Sequence, residues 1–275
     1  MEERIRRFLA EDVGSGDITT DAIVPPDHLS EALIIAKEEC VIAGHEFARG
    51  IFLALDPDAL YVDLIRDGHP AGKGQAVVRL KARTRAILTG ERSALNILQR
   101  LSGIATATRR FVDAVTGTGV RILDTRKTSP GLRAMEKYAV LMGGGENHRF
   151  GLYDMALVKE NHIAIAGSIR AAVERIRARS DCEIEVEVKN MEELKEACVE
   201  GVERIMLDNW RDEDIDKAVA LVNGGIPIEV SGNMTVERAK KVAGTGIDFI
   251  SVGSITHSFK SADLSLLIQS GDGGK

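Results

Sequence analysis

Basic side chains that could bind an anion are concentrated in one part of the sequence. Five of them fall within 34 positions of a chain whose formal net charge is −6: Arg126, Lys127, His148, Arg149 and Lys159. They follow short apolar runs or stand beside Gly143-Gly144-Gly145, so no amphipathic helix accounts for them. A guanidinium fork matches a carboxylate or phosphate in two hydrogen bonds, and glycines allow backbone N–H groups to approach it. The pattern predicts a local anion site.

Carboxylates accompany this basic cluster. In the run EIEVEVK, residues 183, 185 and 187 are glutamates that alternate with apolar residues, so a strand would place all three on one face. Carboxylates that point into a core need a cation or hydroxyl groups as partners. Structural ion pairs with Lys189 or a neighbouring strand are one interpretation. For Glu187 and Asp208, at the ends of neighbouring strands, we favour a functional one.

Small and hydroxyl-bearing residues follow the last two apolar runs of the sequence. Ser231-Gly232-Asn233 and the run Gly253 to His257 each follow a late apolar run. Loops after the last strands of a β/α barrel commonly bind a phosphate through backbone N–H groups and a helix N-terminus. Ser231 and Ser254 could instead cap the following helices, with Thr235 as a competing cap.

The elements that would position these residues are parallel β/α units. Apolar runs alternate with amphipathic helices from Gly119 onward, at 121–123, 156–158, 184–188, 204–207, 226–230 and 249–252. Six such units predict an α/β barrel, in which chemistry lies at the carboxyl ends of the strands. An open doubly wound sheet is the alternative, but no GxGxxG follows the first strand.

The first part of the chain has a different pattern of predicted strands and helices. Runs at 32–36 and 77–80 predict strands of an antiparallel sheet, and the helical spacing of apolar residues at 87–115 predicts one or two long helices that link two domains.

Composition excludes several classes of protein. The net negative charge argues against a general nucleic-acid binder, and no segment has the apolar length of a membrane span. Cys40, Cys182 and Cys198 lie far apart, which fits a reducing compartment, and we expect a cytoplasmic protein. Motifs of P-loop NTPases, HExxH proteases and GxSxG hydrolases are absent from the sequence.

Long motifs resemble those of the quinolinate phosphoribosyltransferase family, the carboxylating nicotinate-nucleotide pyrophosphorylases. The most specific block runs from TRKTSPGLR through EKYAVLMGGGENHRFGLYD to LVKENHI. EDVGSGDITTD, ERSALNILQRLSGIAT, EVEV, LDN, EVSGN and SVGSITHS extend the resemblance over nearly the whole chain.

The resemblance implies a fold and an assembly. An N-terminal α/β sandwich would comprise residues 1–105, with a C-terminal helix over 262–275 packing back on it. An irregular α/β barrel of six or seven parallel strands would comprise residues 106–261. The family also implies Mg²⁺ as the cofactor and a homodimer, and leaves further assembly into a hexamer open.

It also implies roles for individual residues. The dicarboxylate would be bound by Arg126, His148, Arg149 and Lys159, joined by Arg92 from the other subunit. Lys127 would lie between the two substrates. Glu187 and Asp208 would face the ribose hydroxyls and the magnesium pyrophosphate, holding the metal through water or the substrate. Ser231, Gly232, Gly253 and His257 would surround the 5′-phosphate, and the remaining predicted substrate-binding residues are Thr125, Asn233 and Val252.

The implied reaction joins quinolinate to phosphoribosyl pyrophosphate and releases pyrophosphate and carbon dioxide. One alternative is a relative that uses another acceptor, such as nicotinate or the unknown substrate of a molybdenum-gene-cluster homologue. Another is a non-catalytic barrel that senses phosphosugars, but Lys127, Glu187 and Asp208 are all present. His162 is expected to support the turn after Lys159, and Trp210 to be a packing residue.

Overall fold

The structure, a computed structural model, describes residues 1–269 and contains two compact units. The first comprises 1–107, 134–144 and 259–269, and the second 108–133 and 145–258. In chain order the first stretch contains α1 (Glu2–Val13), α2 (Ile18–Ile23), β1 (Leu29–Ala36), β2 (Cys40–Val41), α3 (His45–Leu55), β3 (Leu60–Asp63), β4 (Pro70–Ala71), β5 (Ala76–Arg83) and α4 (Thr84–Ala114).

The remaining elements are β6 (Arg121–Leu123), α5 (Arg133–Met142), β7 (Ala156–Val158), α6 (Glu160–Ala166), α7 (Ile169–Arg177), β8 (Ile184–Val188), α8 (Met191–Glu200), β9 (Arg204–Asp208), α9 (Asp212–Val222), β10 (Ile228–Ser231), α10 (Val236–Val242), a 3₁₀ turn (Ala243–Thr245), β11 (Phe249–Ser251), α11 (Ser254–His257) and β12 (Leu264–Ile268).

The first unit is built on an antiparallel sheet of strand order β12-β1-β5-β3. Its strands bury alternate side chains, as the period of two requires. The predicted strands at 32–36 and 77–80 lie within β1 and β5, and the helical spacing at 87–115 forms one continuous helix, α4. Leu98, Leu101 and Ile104 of α4 are fully buried. The antiparallel prediction is therefore confirmed.

The predicted C-terminal helix is wrong where the structure describes it. Leu264–Ile268 is a strand that pairs antiparallel with β1, and Gln99 Nε2 donates to the Leu264 carbonyl at 2.8 Å. Leu264 and Leu266 are buried and Ser265 between them is less so, an alternation that suits a sheet edge. Residues 270–275 of the predicted helix lie outside the described part of the chain.

The second unit contains six parallel strands in the order β6-β11-β10-β9-β8-β7. All six predicted apolar runs form these strands, with ends that differ by at most two residues. Beyond β6, Glu146 adds a single bridge to Leu123 and exchanges backbone hydrogen bonds with Ile122 and Asp124. The six-stranded parallel sheet, together with the separate antiparallel sheet of the first unit, confirms the predicted fold class.

The boundary between the units differs from the prediction in three places. Residues 106–107, 134–144 and 259–261, which the barrel prediction had included, belong to the first unit. Among the residues described, no helix has both the length and the apolar character needed to cross a membrane.

Candidate active site

A pocket of about 530 Å³ opens at the carboxyl ends of the parallel strands, entirely within the second unit. Eleven of the fifteen predicted substrate-binding residues line it: Thr125, Arg126, Lys127, His148, Arg149, Lys159, Glu187, Asp208, Ser231, Gly232 and Asn233. The remaining four are Arg92, which is exposed on α4 in the first unit, and Val252, Gly253 and His257. Separate loops therefore bring the predicted cations and acids to one cavity, as parallel strand ends should.

Arg126, Arg149 and Lys159 form the cationic wall of the pocket, and one buried N–H group in this wall has no hydrogen-bond partner within residues 1–269. Arg126 Nε is buried and has no hydrogen-bond partner among the described residues, although its side chain lines the cavity. Arg149 lies close by and donates through one guanidinium nitrogen to the Met155 carbonyl at 3.1 Å. Burial lowers the pKa of Arg149, and the neighbouring charge of Arg126 lowers it further. A bound carboxylate would offset both the repulsion and the missing hydrogen bond.

The loop that carries Arg126 is fixed by Arg133. The guanidinium of Arg133 donates to Thr128 Oγ1 at 2.9 Å, to the Phe150 carbonyl at 3.1 Å and to the Arg126 carbonyl at 3.4 Å. These bonds tie the turn after β6 to the segment that follows Arg149. The two basic wall residues are thus anchored to each other through their main chains.

Lys159 joins the cationic and acidic parts of the pocket. Its Nζ donates to Glu187 Oε2 at 2.8 Å, and the Lys159 side chain remains half exposed. The predicted alternative partner, Lys189, pairs with Glu160 instead. The backbone N–H of Lys159 donates to His162 Nδ1 at 2.9 Å, which confirms the expected support of this turn by His162.

His148 accepts a hydrogen bond on one ring nitrogen, and its other ring nitrogen lies at ion-pair distance from two glutamates. Its Nδ1 accepts from the Arg149 backbone N–H at 2.8 Å, so in the neutral ring the proton resides on Nε2. Nε2 lies 2.9 Å from Glu185 Oε2 and 3.5 Å from Glu229 Oε2. His148 lines the pocket, and its contact with a dicarboxylate stays a prediction. Its backbone N–H donates to buried Asp124 at 2.9 Å.

Two fully buried glutamates lie inside the barrel beneath the pocket. Burial raises the pKa of Glu185 to about 7, against the opposing effect of Arg204. Burial, and then the charge of Glu185, raise the pKa of Glu229 to about 8. Arg204 donates to Glu229 Oε2 at 3.2 Å. The prediction that three glutamates point inward is wrong for Glu183, which is exposed and precedes the strand.

The ligand atoms of His148, Glu185 and Glu229 lie within 4.8 Å of one another, the one such group of three among the described residues. Arg204 already brings a positive charge to this group, and His148 Nε2 lies at ion-pair distance from Glu185. We interpret the group as a network of ion pairs that supports the pocket from below.

The opposite side of the pocket is formed by the turns after β9 and β10. Asp208 ends β9, and Asn209 follows in a left-handed conformation with φ 56°. The next turn contains Gly232 and Asn233, also left-handed. Thr235 caps α10 by accepting from Arg238 N at 3.2 Å, so the competing cap is the one observed and Ser231 is left to face the pocket.

Lys127 lies beside the loop after the last parallel strand. Its carbonyl accepts a hydrogen bond from Thr256 Oγ1 at 2.8 Å. A Cβ placed on Gly253 would come within 2.9 Å of Lys127 Cδ and 3.2 Å of His257 Nε2. Gly253 therefore permits the close approach of these two basic side chains, although neither Gly253 nor His257 is among the residues that line the cavity.

Four further residues line the pocket without having been predicted to bind substrate: Leu157, Met206, Asn209 and Ser251. Leu157, Met206 and Ser251 lie within strands, where a period of two points alternate residues inward, but this signal does not distinguish them from core residues. Trp210, predicted to pack, is buried and donates to the Val188 carbonyl at 2.8 Å.

Comparison with known proteins gives consistent matches along the chain. The family models for the C-terminal and N-terminal domains of quinolinate phosphoribosyl transferase match residues 104–267 and 17–102. A probable nicotinate-nucleotide pyrophosphorylase (carboxylating) from Bacillus subtilis is 41% identical, over 97% of this chain and 92% of the relative. A chloroplastic nicotinate-nucleotide pyrophosphorylase (carboxylating) from Oryza sativa is 42% identical, over 96% of this chain and 76% of the relative.

The fold agrees with a solved structure as well. The nicotinate-nucleotide pyrophosphorylase from Francisella tularensis superposes with a TM-score of 0.93 at 42% identity, covering 97% of this chain and 95% of the other.

Proposed function

This chain belongs to the quinolinate phosphoribosyltransferase family, and we infer that it is the decarboxylating enzyme of de novo NAD biosynthesis. It joins the ring nitrogen of quinolinate to the ribose of phosphoribosyl pyrophosphate. Nicotinate mononucleotide, pyrophosphate and carbon dioxide are the products. The observation that carries this inference is the single cavity in which Arg126, Arg149 and Lys159 face Glu187 and Asp208.

The cationic wall suits two adjacent carboxylates better than one. Quinolinate loses the hydration of both carboxylates on binding, and each needs a charge-assisted partner. Arg126 has an unsatisfied Nε toward the pocket, while Arg149 and Lys159 add two further positive groups. A monocarboxylate such as nicotinate would leave part of this charge unpaired, so affinity should favour the dicarboxylate.

The acids on the other side suit the sugar. Displacement at the anomeric carbon develops positive charge on the ribose, which the carboxylates of Glu187 and Asp208 would stabilise. The leaving pyrophosphate carries negative charge, and Lys127, beside the loop after β11, is placed to oppose it. Lys159 would exchange its ion pair with Glu187 for the incoming acid, which releases Glu187 for the ribose hydroxyls.

Magnesium fits the donor set on this side of the pocket. Glu187 and Asp208 offer carboxylate oxygens at its rim, and Mg²⁺ prefers oxygen ligands that include water and substrate phosphates. Both residues would hold the ion through water or through the substrate. When bound, it would neutralise charge on the pyrophosphate.

The decarboxylation follows from the chemistry of the product ring. Once the ring nitrogen is bonded to ribose it is cationic, so the bond from C2 to its carboxylate can break with the electron pair left beside that nitrogen. A proton then replaces carbon dioxide at C2. The ring itself accepts the electrons, so we propose Mg²⁺ as the cofactor and no separate electron sink.

We also propose the homodimer that the family resemblance implies, with Arg92 of each subunit entering the pocket of the other. Arg92→Ala and Lys127→Ala should each be nearly inactive alone. Mixed subunits should regain about one quarter of wild-type activity, because each hybrid dimer contains one intact pocket. Mixtures that stay inactive after subunit exchange would show that Arg92 acts within its own chain, and an active Arg92→Ala variant would show that it has no role.

A cytoplasmic location is likewise a proposal. The Bacillus subtilis relative carries no organelle in its name, whereas relatives from Oryza sativa and Nicotiana tabacum are named chloroplastic and mitochondrial.

The activity is tested with the purified protein, phosphoribosyl pyrophosphate, magnesium and either quinolinate or nicotinate. We expect nicotinate mononucleotide and one carbon dioxide per product from quinolinate, and loss of turnover when magnesium is chelated. Product from nicotinate alone would overturn the proposal and favour a relative with a monocarboxylate acceptor.

A further inference from the structure

The turns after β9 and β10 form one side of the pocket, which we call the sugar side. Two of the three asparagines with left-handed backbone in the described part of the chain lie there. Within residues 1–269, left-handed backbone at residues other than glycine occurs at Asn209, Asn223 and Asn233. Asn223 is the C-cap of α9, a common place for such a residue. Asn209 and Asn233 instead lie in the two turns that line the pocket, where a strained backbone persists only if its surroundings hold it.

The side chain of Asn209 connects these two turns. Its Nδ2 donates to Asp208 Oδ2 at 2.8 Å, and its Oδ1 accepts from Asn233 Nδ2 at 3.1 Å. Both ends of one amide are therefore used, one on the acid of β9 and one on the turn after β10. The bond to Asp208 fixes the direction of a carboxylate that otherwise has free rotation about its terminal torsion.

Gly232 shows how closely the turns approach each other. A Cβ at this position would lie 2.2 Å from Asn209 Oδ1 and 2.9 Å from the Asn209 backbone nitrogen, and the φ of Gly232 is 97°. Such a contact with backbone could not be relieved by rotating a side chain. The sequence therefore leaves room at Gly232 for the Asn209 amide.

The main chains of the two turns are held independently of the Asn209 side chain. Asn209 N donates to the Ser231 carbonyl at 3.0 Å. Arg238 donates to the carbonyls of Gly232 and Trp210 and to Asp212, in bonds of 2.5, 2.7 and 3.0 Å. Removing the Asn209 amide should thus leave the turns in place and change only the groups that it orients.

We propose that Asn209 is a positioning residue for the phosphoribosyl pyrophosphate half of the reaction. It directs the Asp208 carboxylate and the Asn233 side chain, and it has no part in binding the dicarboxylate. This inference rests on the proposed function, because it assigns the two sides of the pocket to the two substrates.

The test compares three substitutions at one position. Asn209→Gly keeps access to the left-handed conformation and removes the amide, whereas Asn209→Ala also strains the backbone. Asn209→Asp keeps the acceptor for Asn233 but loses the donor to Asp208 and adds a like charge beside it. Asn223→Gly is the matched control, since it changes the same residue type in the same conformation at the end of α9.

We expect Asn209→Gly to raise the KM for phosphoribosyl pyrophosphate about tenfold, as the loss of one charge-assisted hydrogen bond predicts, with the KM for quinolinate changed less than about twofold. Asn209→Asp should raise it at least as much. Asn209→Ala should do the same and also lower the melting temperature. Asn223→Gly should leave both KM values unchanged.

A merely structural role makes different predictions. It requires that Asn209→Asp resemble the wild type, or that both KM values rise together as the melting temperature falls; either result overturns the proposal. If the wild type itself does not turn over quinolinate, the proposed function fails. Calorimetric titration of magnesium phosphoribosyl pyrophosphate onto wild type and Asn209→Gly then decides this inference: weaker binding supports it and equal binding overturns it.

Discussion

The two units of the protein treat buried polar groups differently. In the first unit, fully buried Glu136 accepts from Arg100 Nε at 3.0 Å, and Asp56 accepts from the backbone nitrogens of Asp58 and Arg83. Buried His45 uses both ring nitrogens, on Tyr61 and on the Ile65 carbonyl. These groups are satisfied within their own unit, as expected for a part of the chain whose task is to fold.

The second unit leaves polar groups unsatisfied around its pocket. Arg126 Nε, Glu185 Oε1 and Glu229 Oε1 are buried and lack hydrogen-bond partners among the described residues. Each lies in the cationic wall or directly beneath it. Unsatisfied buried groups reduce stability and persist where function requires them. Among the described residues, the first unit has one such atom, the hydroxyl of Ser265, whereas the second unit has several around its pocket, which is the pattern expected of a ligand site.

The largest loss of folding stability from removing one polar side chain is expected in the first unit. Arg100→Met removes the partner of a fully buried carboxylate and should lower the free energy of unfolding by about 3–5 kcal/mol. Urea denaturation measures it. Lys217→Met, which breaks an exposed pair with Asp214, is the control and should cost less than about 0.5 kcal/mol. If both variants lowered the free energy of unfolding equally, the buried polar groups of the first unit would have no special role in stability.

The next effect belongs to the second unit and should appear in binding. Arg126→Ala should weaken quinolinate binding by about 2–3 kcal/mol, or roughly 30- to 150-fold, because a charge-assisted pair is lost. Stability should not fall, since the buried donor without a partner is removed with it. Calorimetry with quinolinate and thermal unfolding measure the two quantities. Lys240→Ala, on the exposed face of α10, is the control for charge.

A smaller effect concerns the pH dependence of stability. The pKa of Glu229 is about 8 in the folded protein and near 4.5 when solvated, so the folded state binds more protons between these values. Stability from this residue is therefore present below pH 4.5 and lost as pH rises through 8. Relative to Glu229→Gln, the wild type should lose on the order of 1–2 kcal/mol between pH 6 and pH 8. A constant difference across that range would contradict a raised pKa.

The smallest effect should come from His162, which supports the turn after β7. His162→Ala removes one hydrogen bond to the Lys159 backbone and should cost about 0.5–1.5 kcal/mol of stability. The KM for quinolinate should rise only a few fold, as Lys159 keeps its side-chain partner Glu187. Steady-state kinetics and urea denaturation measure these changes; a loss of affinity as large as that of Arg126→Ala would give His162 a direct role.

Much of the barrel could be predicted because its strands are short, mostly apolar and followed by polar residues, a pattern typical of parallel sheets. The last strand was missed because Leu264–Ile268 is too short for its period to separate strand from helix, and its partner β1 is more than 220 positions away in the sequence. The convergence of Arg126, Arg149 and Lys159 followed from the rule that strand ends meet at one face.

Other features of the site depend on distances that no local pattern encodes. The alternation of EIEVEVK indicated that Glu185 and Glu187 share a face, but not that one would lie 2.9 Å from His148 and the other 2.8 Å from Lys159. The role of Asn209 depends on a left-handed turn opposite Gly232, and the dipeptide Asp-Asn alone does not specify that conformation.

The most direct test of whether the cationic wall of the second unit binds a dicarboxylate is a crystal structure of the protein with quinolinate. We expect both carboxylates of the ring within hydrogen-bond distance of Arg126, Arg149 and Lys159, with Arg126 Nε now paired. Quinolinate bound elsewhere, or bound in this pocket without contact to these three residues, would contradict it.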